Sequence, residues 1–250
     1  MAKARVFIVM PAYKAAKKIG SVFERISAST WEMIQHVIVV VDGDVDGTLR
    51  QARDIGSRFP GKVTIVYHPE NRGYGRAQKT GYATALRMGA EICALLHSDG
   101  QYAPEVLPQL LEPLELAEAD VVMGSRMLDP VRARRGGMPL YKLLANRSLT
   151  FIENRVYGLR MSEYHSGYML YRREVLERIP FEKLSDRFHF DGEMLMLACK
   201  NGFRVKEISI PTQYADEEKT LNPITYGIEV LKIVAAYLAG KYKPMIRSLR

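Results

Sequence analysis

Five apolar or β-branched runs of strand length, at 5–10, 36–41, 63–67, 92–97 and 120–123, punctuate the first half of this chain. Between them lie stretches with helical spacing, at 17–27, 48–59, 75–88 and 104–116. In the last of these Pro104 holds an N-terminal position and Val106, Leu110, Leu111 and Leu114 share one face. Near-continuous apolar strands imply burial on both faces. Their alternation with helices implies a parallel sheet with right-handed crossovers. Such a sheet delivers every strand's carboxyl end to one edge, and that edge is where open α/β folds bind ligands.

The segments that follow those strands are polar or glycine-rich. Pro11-Ala12-Tyr13 follows the first, Asp42-Gly43-Asp44-Val45-Asp46-Gly47-Thr48 the second, and Asn71-Arg72-Gly73-Tyr74-Gly75-Arg76-Ala77 the third. The fourth ends in Ser98-Asp99-Gly100-Gln101. Glycines let backbone N–H groups and helix N-termini approach a phosphate. A carboxylate and an amide oxygen are hard ligands suited to Mg²⁺ or Mn²⁺, and Mg²⁺ is typically held by one or two carboxylates plus substrate phosphates. The expectation is a metal-held diphosphate, with Asp99 and Gln101 as the metal ligands. Asp42-Gly43 and Asp46-Gly47 are also ordinary turn pairs. The Asn71–Ala77 segment lacks the third glycine and the acidic ribose partner of a dinucleotide fingerprint.

Beyond Met123 the rhythm changes. A Gly- and Arg-rich loop at 129–137 leads to a helix at 139–157, a strand at 166–171, a short helix at 173–179, a helix at 190–201 closed by Gly202, and a strand at 205–210. The reading is one domain over 1–222, with a nucleotide half at about 1–128 and an acceptor half at 129–222. An amphipathic C-terminal helix and basic tail over 223–250 follow, ending in Lys241, Lys243, Arg247 and Arg250.

A chain of 250 residues, 47% hydrophobic, can bury an ample core. Its net charge of +8 favours anionic partners. Nucleic acid is not expected, because no nucleic-acid module pattern appears and no aromatics interleave the basic runs. Two cysteines, Cys93 and Cys199, sit in apolar segments and read as buried thiols in a reducing compartment. Met1-Ala2-Lys3-Ala4-Arg5 runs straight into a strand, which is unlike a signal peptide. The longest apolar stretch, 224–239, is interrupted by Glu229 and Lys232. The expected location is therefore the cytoplasm, with any membrane attachment peripheral and at the inner face. The C-terminal helix either meets anionic lipid through its basic end or packs on the domain or on a second subunit, as in a homo-oligomer.

Taken together, Pro11-Ala12-Tyr13, Asp42-Gly43 with Asp46-Gly47-Thr48, Asn71 to Ala77, Asp99-Gly100-Gln101, Gly124-Ser125-Arg126, Pro139-Leu140-Tyr141-Lys142 with Asn146-Arg147, and Ser166-Gly167-Tyr168 resemble the family 2 glycosyltransferases. Within that family the likeness is to the dolichyl- or polyprenyl-phosphate sugar synthases, and it covers about residues 5 to 215. It implies an α/β GT-A fold: a Rossmann-like, mostly parallel central sheet flanked by helices, with an acceptor-side extension. It also implies an inverting hexosyltransferase that uses a GDP- or UDP-sugar and Mg²⁺ or Mn²⁺. Pro11, Ala12 and Tyr13 would flank the base and Asp42 would reach base or ribose, with Asp44, Gly73, Arg76, Ser98 and Asp99 completing the donor site. Arg126 and Arg147 would hold a lipid phosphate acceptor, helped by Lys142 or Arg135.

The chemistry fits that assignment. A phosphate monoester has its second pKa near ~6, so it is already an anionic nucleophile at neutral pH and needs no general base. Arginine's rigid fork suits its positioning. Several residues depart from the family pattern. Val41 replaces the first of two paired acids, His97 stands where many members have an acid, and Lys14-Ala15 replaces Asn-Glu. Two rivals follow. In the same fold with a hydroxyl acceptor, Asp191 or Glu193 would serve as the base; both also fit a helix start favoured by the dipole. The other rival is a non-catalytic nucleotide-sugar binding protein. His165 reads as a core residue and not as a ligand.

Overall fold

In the computed structural model, which describes residues 4–211 and 223–246, four strands lie mutually parallel: β1 (Val6–Ala12), β2 (Ile34–Asp42), β3 (Val63–His68) and β4 (Ile92–Leu95). β5 (Val121–Ser125) and β7 (Val205–Ser209) pair in parallel, and β6 (Met169–Arg172) lies antiparallel between β4 and β5. The result is one seven-stranded sheet in the order β3-β2-β1-β4-β6-β5-β7. The two halves read from the sequence share this sheet, because β6 from the second half is inserted between two strands of the first. The mostly parallel fold class stands. β6 is the lone reversed strand, antiparallel to both β4 and β5, and two helices lie in the β5–β6 connection.

Those helices are α6 (Pro130–Arg135) and α7 (Leu140–Tyr157). The sequence predicted only a loop at 129–137. α6 forms there because the Asp129 side chain accepts a bond from the Arg132 N–H at 2.9 Å and Pro130 takes the first helical position. Likewise the single helix expected at 17–27 is α1 (Ile19–Glu24), followed by a separate α2 (Ala28–Met33) that Ser27 caps by accepting from the Thr30 N–H at 3.2 Å. The remaining helices agree with the periodicity: α3 (Thr48–Arg58), α4 (Tyr74–Arg87), α5 (Leu107–Glu115), α8 (Arg173–Arg178), α9 (Phe190–Lys200) and α10 (Pro223–Leu238). Arg247 and Arg250 of the basic tail lie outside the described residues.

Side chains of a strand alternate between faces, so the sheet sorts its residues into two cores. Phe7, Val9, Ile38 and Val40 pack with α4 and α9, whereas Val6, Ile8, Met10, Val37 and Val39 pack with α1, α3 and α5. Cys93 is buried and Cys199 half-buried, and both are free thiols; burial pushes the Cys93 thiol up to about 12.

At Gly81 of α4 the helix lies so close to the sheet that a Cβ would overlap the side chain of Val9. Gly81→Ala should therefore lower stability by about 1–3 kcal/mol through overpacking, against a gain of about 1 kcal/mol from alanine's helix propensity. Urea unfolding measures the balance, and a net gain in midpoint would contradict this close approach.

Candidate active site

The parallel strands bring four loops to one edge, and the loops are tied to each other before any ligand arrives. Ser98 Oγ donates to the Pro11 carbonyl at 2.8 Å, which locks the end of β4 to the end of β1. Asp46 accepts from the Thr48 hydroxyl at 2.6 Å and from the Ala16 N–H at 3.1 Å, while Thr48 Oγ1 accepts from the Ala15 N–H at 2.8 Å. Burial opposes charge on Asp46, but the Thr48 hydroxyl and these N–H groups hold its carboxyl below the usual range. Asp44 accepts from the Leu49 N–H at 3.1 Å and otherwise faces solvent. Ala12 is buried, whereas the Tyr13 ring is 43% exposed beside Lys14, whose φ of 51° is left-handed. Tyr13 thus offers an open aromatic face at this edge.

Asp42, expected at the base or ribose, is turned inward. Its two carboxylate oxygens accept from the backbone N–H groups of Arg72 and Gly73, each at 2.9 Å, and Oδ1 also meets His68 Nδ1 at 2.8 Å. The side chain is 3% exposed as a residue and serves as a clip for the β3–α4 loop. Gly73, at φ 105°, is then pressed against the Asp186 carbonyl so closely that a Cβ would collide with it, and Gly75 is pressed against the carbonyls of Ser185 and Arg187. The sequence reading did not anticipate the residues that hold this 182–187 segment down. Buried Lys79 donates to the carbonyls of Glu182, at 3.2 Å, and Leu184 and to Asp186 Oδ1 at 2.8 Å; Arg76 reaches Asp186 Oδ2 at 3.1 Å. The only advance signal was a lysine placed among the apolar positions of an amphipathic helix.

At the tip of β4 the arrangement suits a cation. The Asp99 side chain is exposed, and its Oδ1 accepts from the Gln101 N–H at 3.0 Å. Gly100, at φ 76°, makes the turn that presents it. His97 points elsewhere: its Nε2 meets the Tyr74 hydroxyl at 2.7 Å and its ring packs edge-on against Tyr102. Burial pushes the His97 pKa down, although Asp99 pulls it the other way. Among the described residues no three His, Cys, Asp or Glu side chains cluster as a metal cage. One exposed carboxylate with an adjacent amide matches a cation that takes its other ligands from a phosphate group.

The residues expected at an acceptor phosphate differ in exposure and in their contacts. Arg126 is engaged with buried Glu163, Nη2 lying 2.5 Å from Oε2 and the backbone N–H donating to Oε1 at 2.6 Å, and it also donates to the His165 carbonyl at 2.8 Å. Asn146 adds a bond to Glu163 Oε2 at 3.1 Å. Burial works against charge on Glu163, but Arg126 outweighs it and keeps the carboxyl below its ordinary range. Arg147 on α7 and Arg135 on α6 are exposed, and Lys142 is half-buried. His165 is a core residue, bonded to the Tyr226 hydroxyl at 3.0 Å and 3.1 Å from Glu153 Oε2.

Asp191 and Glu193, the candidate bases, both lie in the interior at the start of α9. Glu193 accepts from the Ser185 N–H at 2.7 Å and the Tyr242 hydroxyl at 2.5 Å. Asp191 Oδ2 receives a single bond, from Gln78 Nε2 at 3.3 Å, and its Oδ1 is buried without a hydrogen-bond partner. Burial therefore pushes its pKa up to about 7, against the opposing pull of Gln78 and Tyr74.

A seven-stranded, mostly parallel sheet with this order, with an exposed aspartate at the carboxyl end of β4, is an open α/β fold of the kind that binds ligands at that edge. Residues 7–180 match the model of glycosyl transferase family 2, and the chain belongs to that family as a glycosyltransferase. It is 31% identical over 214 residues to an uncharacterized protein of Methanocaldococcus jannaschii, covering 86% of this chain and 84% of that one. It is 26% identical to the UDP-N-acetylglucosamine–dolichyl-phosphate N-acetylglucosaminyltransferase of Methanococcus voltae, covering 86% and 88%. It is 28% identical to the polyprenol monophosphomannose synthase of Mycolicibacterium smegmatis, covering 82% and 76%. The fold is also that of glucosyl-3-phosphoglycerate synthase from Mycobacterium tuberculosis solved with uridine diphosphate, at a TM-score of 0.70 and 18% identity, over 93% of this chain and 79% of that one.

The buried Asp191 carboxyl has a consequence for stability. The folded protein keeps this proton up to about pH 7, whereas the unfolded chain releases it near the ordinary aspartate value of 3.8. Between those values the native state binds more protons than the unfolded state, so this group's contribution falls as pH rises, by up to about 1.4 kcal/mol per pH unit. Asp191→Asn, which mimics the neutral acid, should remove that slope. The difference in unfolding free energy between variant and wild type should then shift in the variant's favour from pH 5 to pH 7 by about 1 kcal/mol or more. Parallel curves for the two proteins would contradict the raised pKa.

Proposed function

We propose that the chain is a metal-dependent, inverting hexosyltransferase that moves a sugar from a GDP- or UDP-sugar to a polyprenyl phosphate. The observation that carries the reading is the exposed Asp99 carboxylate at the tip of β4, beside Gln101 and facing loops already braced by Ser98, Asp42 and Thr48. Asp99, with Gln101, would hold Mg²⁺ or Mn²⁺ through the donor diphosphate, and structural neighbours are described in complex with Mn²⁺ or Mg²⁺ and UDP. When bound, such an ion supplies Lewis-acid stabilisation to the departing nucleoside diphosphate.

The chain's own residues do the remaining work. Tyr13, exposed at the end of β1, offers a surface to the base, flanked by Pro11 and Ala12. Gly73, Arg76 and the N-terminus of α4 face the donor side, with Asp44 open to solvent near the ribose end. Asp42 contributes by fixing the Gly73 backbone, not by reaching the base itself. On the acceptor side Arg147, with Lys142 and Arg135, draws the phosphate. Arg126 takes part from within its Glu163 pair, which fixes the direction of the guanidinium.

An anionic acceptor needs no proton removed, and this agrees with the interior placement of Asp191 and Glu193, where neither carboxylate is open to a hydroxyl nucleophile. The polyprenol- and dolichyl-phosphate substrates named for two relatives support the same acceptor class.

Asp99→Asn should reduce transfer by at least about a hundredfold, the scale of losing one electrostatic contact to a developing charge, while the melting temperature stays within a few degrees because the side chain is exposed. Arg147→Ala should raise the KM for lipid phosphate with little change in donor KM. Radiolabelled sugar transfer into lipid extracts measures both. Undiminished activity in Asp99→Asn, or equal effects of Arg147→Ala on both substrates, would refute the respective role.

A further inference from the structure

α7 is two-sided in an unusual way for a helix of a single domain. Leu143, Thr150, Glu153 and Tyr157 face inward, yet its outer side carries Leu140, Tyr141, Leu144 and Phe151, exposed by 56%, 59%, 54% and 72%. Beside it runs α10. Gly227 lies against Leu149 and the Tyr157 ring packs on Tyr237 at 4.8 Å, so the two helices run side by side in one direction. α10 also shows apolar residues outward, at Ile228 and Leu231, spaced for one face. Four large exposed apolar residues on one helix, three of them (Leu140, Leu144 and Phe151) within one narrow stripe, are more than the scattered apolar residues usual on a protein surface.

The charges among them are of one sign. The outer side of α7 presents Arg147 and Arg155 and no acid, because the helix's only carboxylate, Glu153, is buried against His165. Immediately before it, α6 adds Arg132, Arg134 and Arg135. The acid of α10, Glu229, is already paired with Lys232 at 2.6 Å. This pattern selects among occupants. A second copy seated on the same face would set cations against cations. An anionic lipid surface supplies the counter-charge and an apolar layer beneath it, the two things this face offers to receive. No described helix is long and apolar enough to cross a membrane, so α7 would lie on the surface.

We propose that the outer face of α7 forms a docking surface for an anionic bilayer, with Leu144 and Phe151 entering the headgroup boundary and Arg147 and Arg155 at the level of the lipid phosphates. The sequence reading gave membrane contact to the C-terminal helix alone; here α7 carries it. The surface stands independently of the acceptor, and only its use rests on the proposed function. In that use Arg147 meets lipid on the outer side of α7, while its neighbour Asn146 bonds the Glu163 that holds Arg126 on the inner side. One helix would thus join the bilayer to the reaction cleft.

The test is flotation of the full chain with vesicles free of any polyprenyl phosphate, either pure phosphatidylcholine or phosphatidylcholine mixed with phosphatidylglycerol. The chain should bind the anionic vesicles at least about tenfold more tightly than the neutral ones, and raising the ionic strength from about 0.1 M to about 1 M should weaken but not abolish binding. Leu144→Glu and Phe151→Glu should each lower the partition about tenfold with unchanged thermal melting. Leu116→Glu, an exposed position after α5, should leave it unaltered. Wild-type protein that binds neither vesicle overturns the proposal, as do Leu144 and Phe151 variants that float like wild type. A dimer that Leu144→Glu dissociates, without vesicle binding, would assign the face to a second copy instead. Because no acceptor is present, loss of flotation and loss of transfer to polyprenyl phosphate are separate results.

Discussion

The parallel register of β1 between β2 and β4 decides where everything else in the molecule stands. Ala12 is level with Val41 and Val9 with Leu95, so Tyr13, Asp42 and the Ser98–Gln101 turn all emerge at one edge. A slip of one residue would exchange the two faces of β1 and expose either Phe7 and Val9 or Val6, Ile8 and Met10 to the wrong core. The sheet's two hydrophobic layers therefore fix the positions of the polar loops. The Ser98–Pro11 bond and the Asp46–Thr48–Ala15 bonds then tie neighbouring loops to each other, so the cleft is shaped before any ligand enters it.

A second layer of order comes from buried polar groups that join distant parts of the chain. Lys79 on α4 fastens the 182–186 segment onto the glycines at the head of that helix. Glu163 gathers Arg126 from the end of β5 and Asn146 from α7. Each such group costs desolvation and is held only because its partners are well placed; removing one partner leaves a buried charge and costs about 3–5 kcal/mol. Such contacts fix geometry more than they add net stability.

What was legible in the sequence follows the range over which each signal acts. Strand runs such as 36–41 and 92–97 and the helix at 104–116 announce themselves through period and composition within a dozen residues. Asp99 could be singled out because it directly follows a strand and precedes a glycine. The partners of Asp42 could not, since they are two backbone N–H groups and a histidine 26 residues or more away. Nor could Lys79 with Asp186, 107 residues apart, or the inward turn of Asp191 and Glu193, whose acidic helix start reads the same whether it faces water or core. α6 was missed for a different reason: Asp129 and Pro130 form a sound helix start, but the glycines and arginines beyond them weighed more heavily in the reading.

The charge balance of the cleft connects these parts. A phosphate attacking a sugar diphosphate brings two anions together, and their repulsion must be offset without lowering the nucleophile's electron density. A rigid, multi-donor guanidinium can position a phosphate without taking a proton from it, because it stays fully ionised at any working pH. In this chain the Arg126 fork is held on Glu163, which limits its net charge but sets its direction, while Arg147 and the arginines of α6 supply exposed positive charge nearby along the chain. Asp99 and Asp44 are exposed carboxylates on the side proposed for the donor. The sites that Val41 and His97 occupy carry no acid, so less negative charge opposes an incoming diphosphate there. In the proposed reaction the two departures from the family pattern would lower the electrostatic cost of bringing two anions together and would leave more of the cation-binding task to the diphosphate itself.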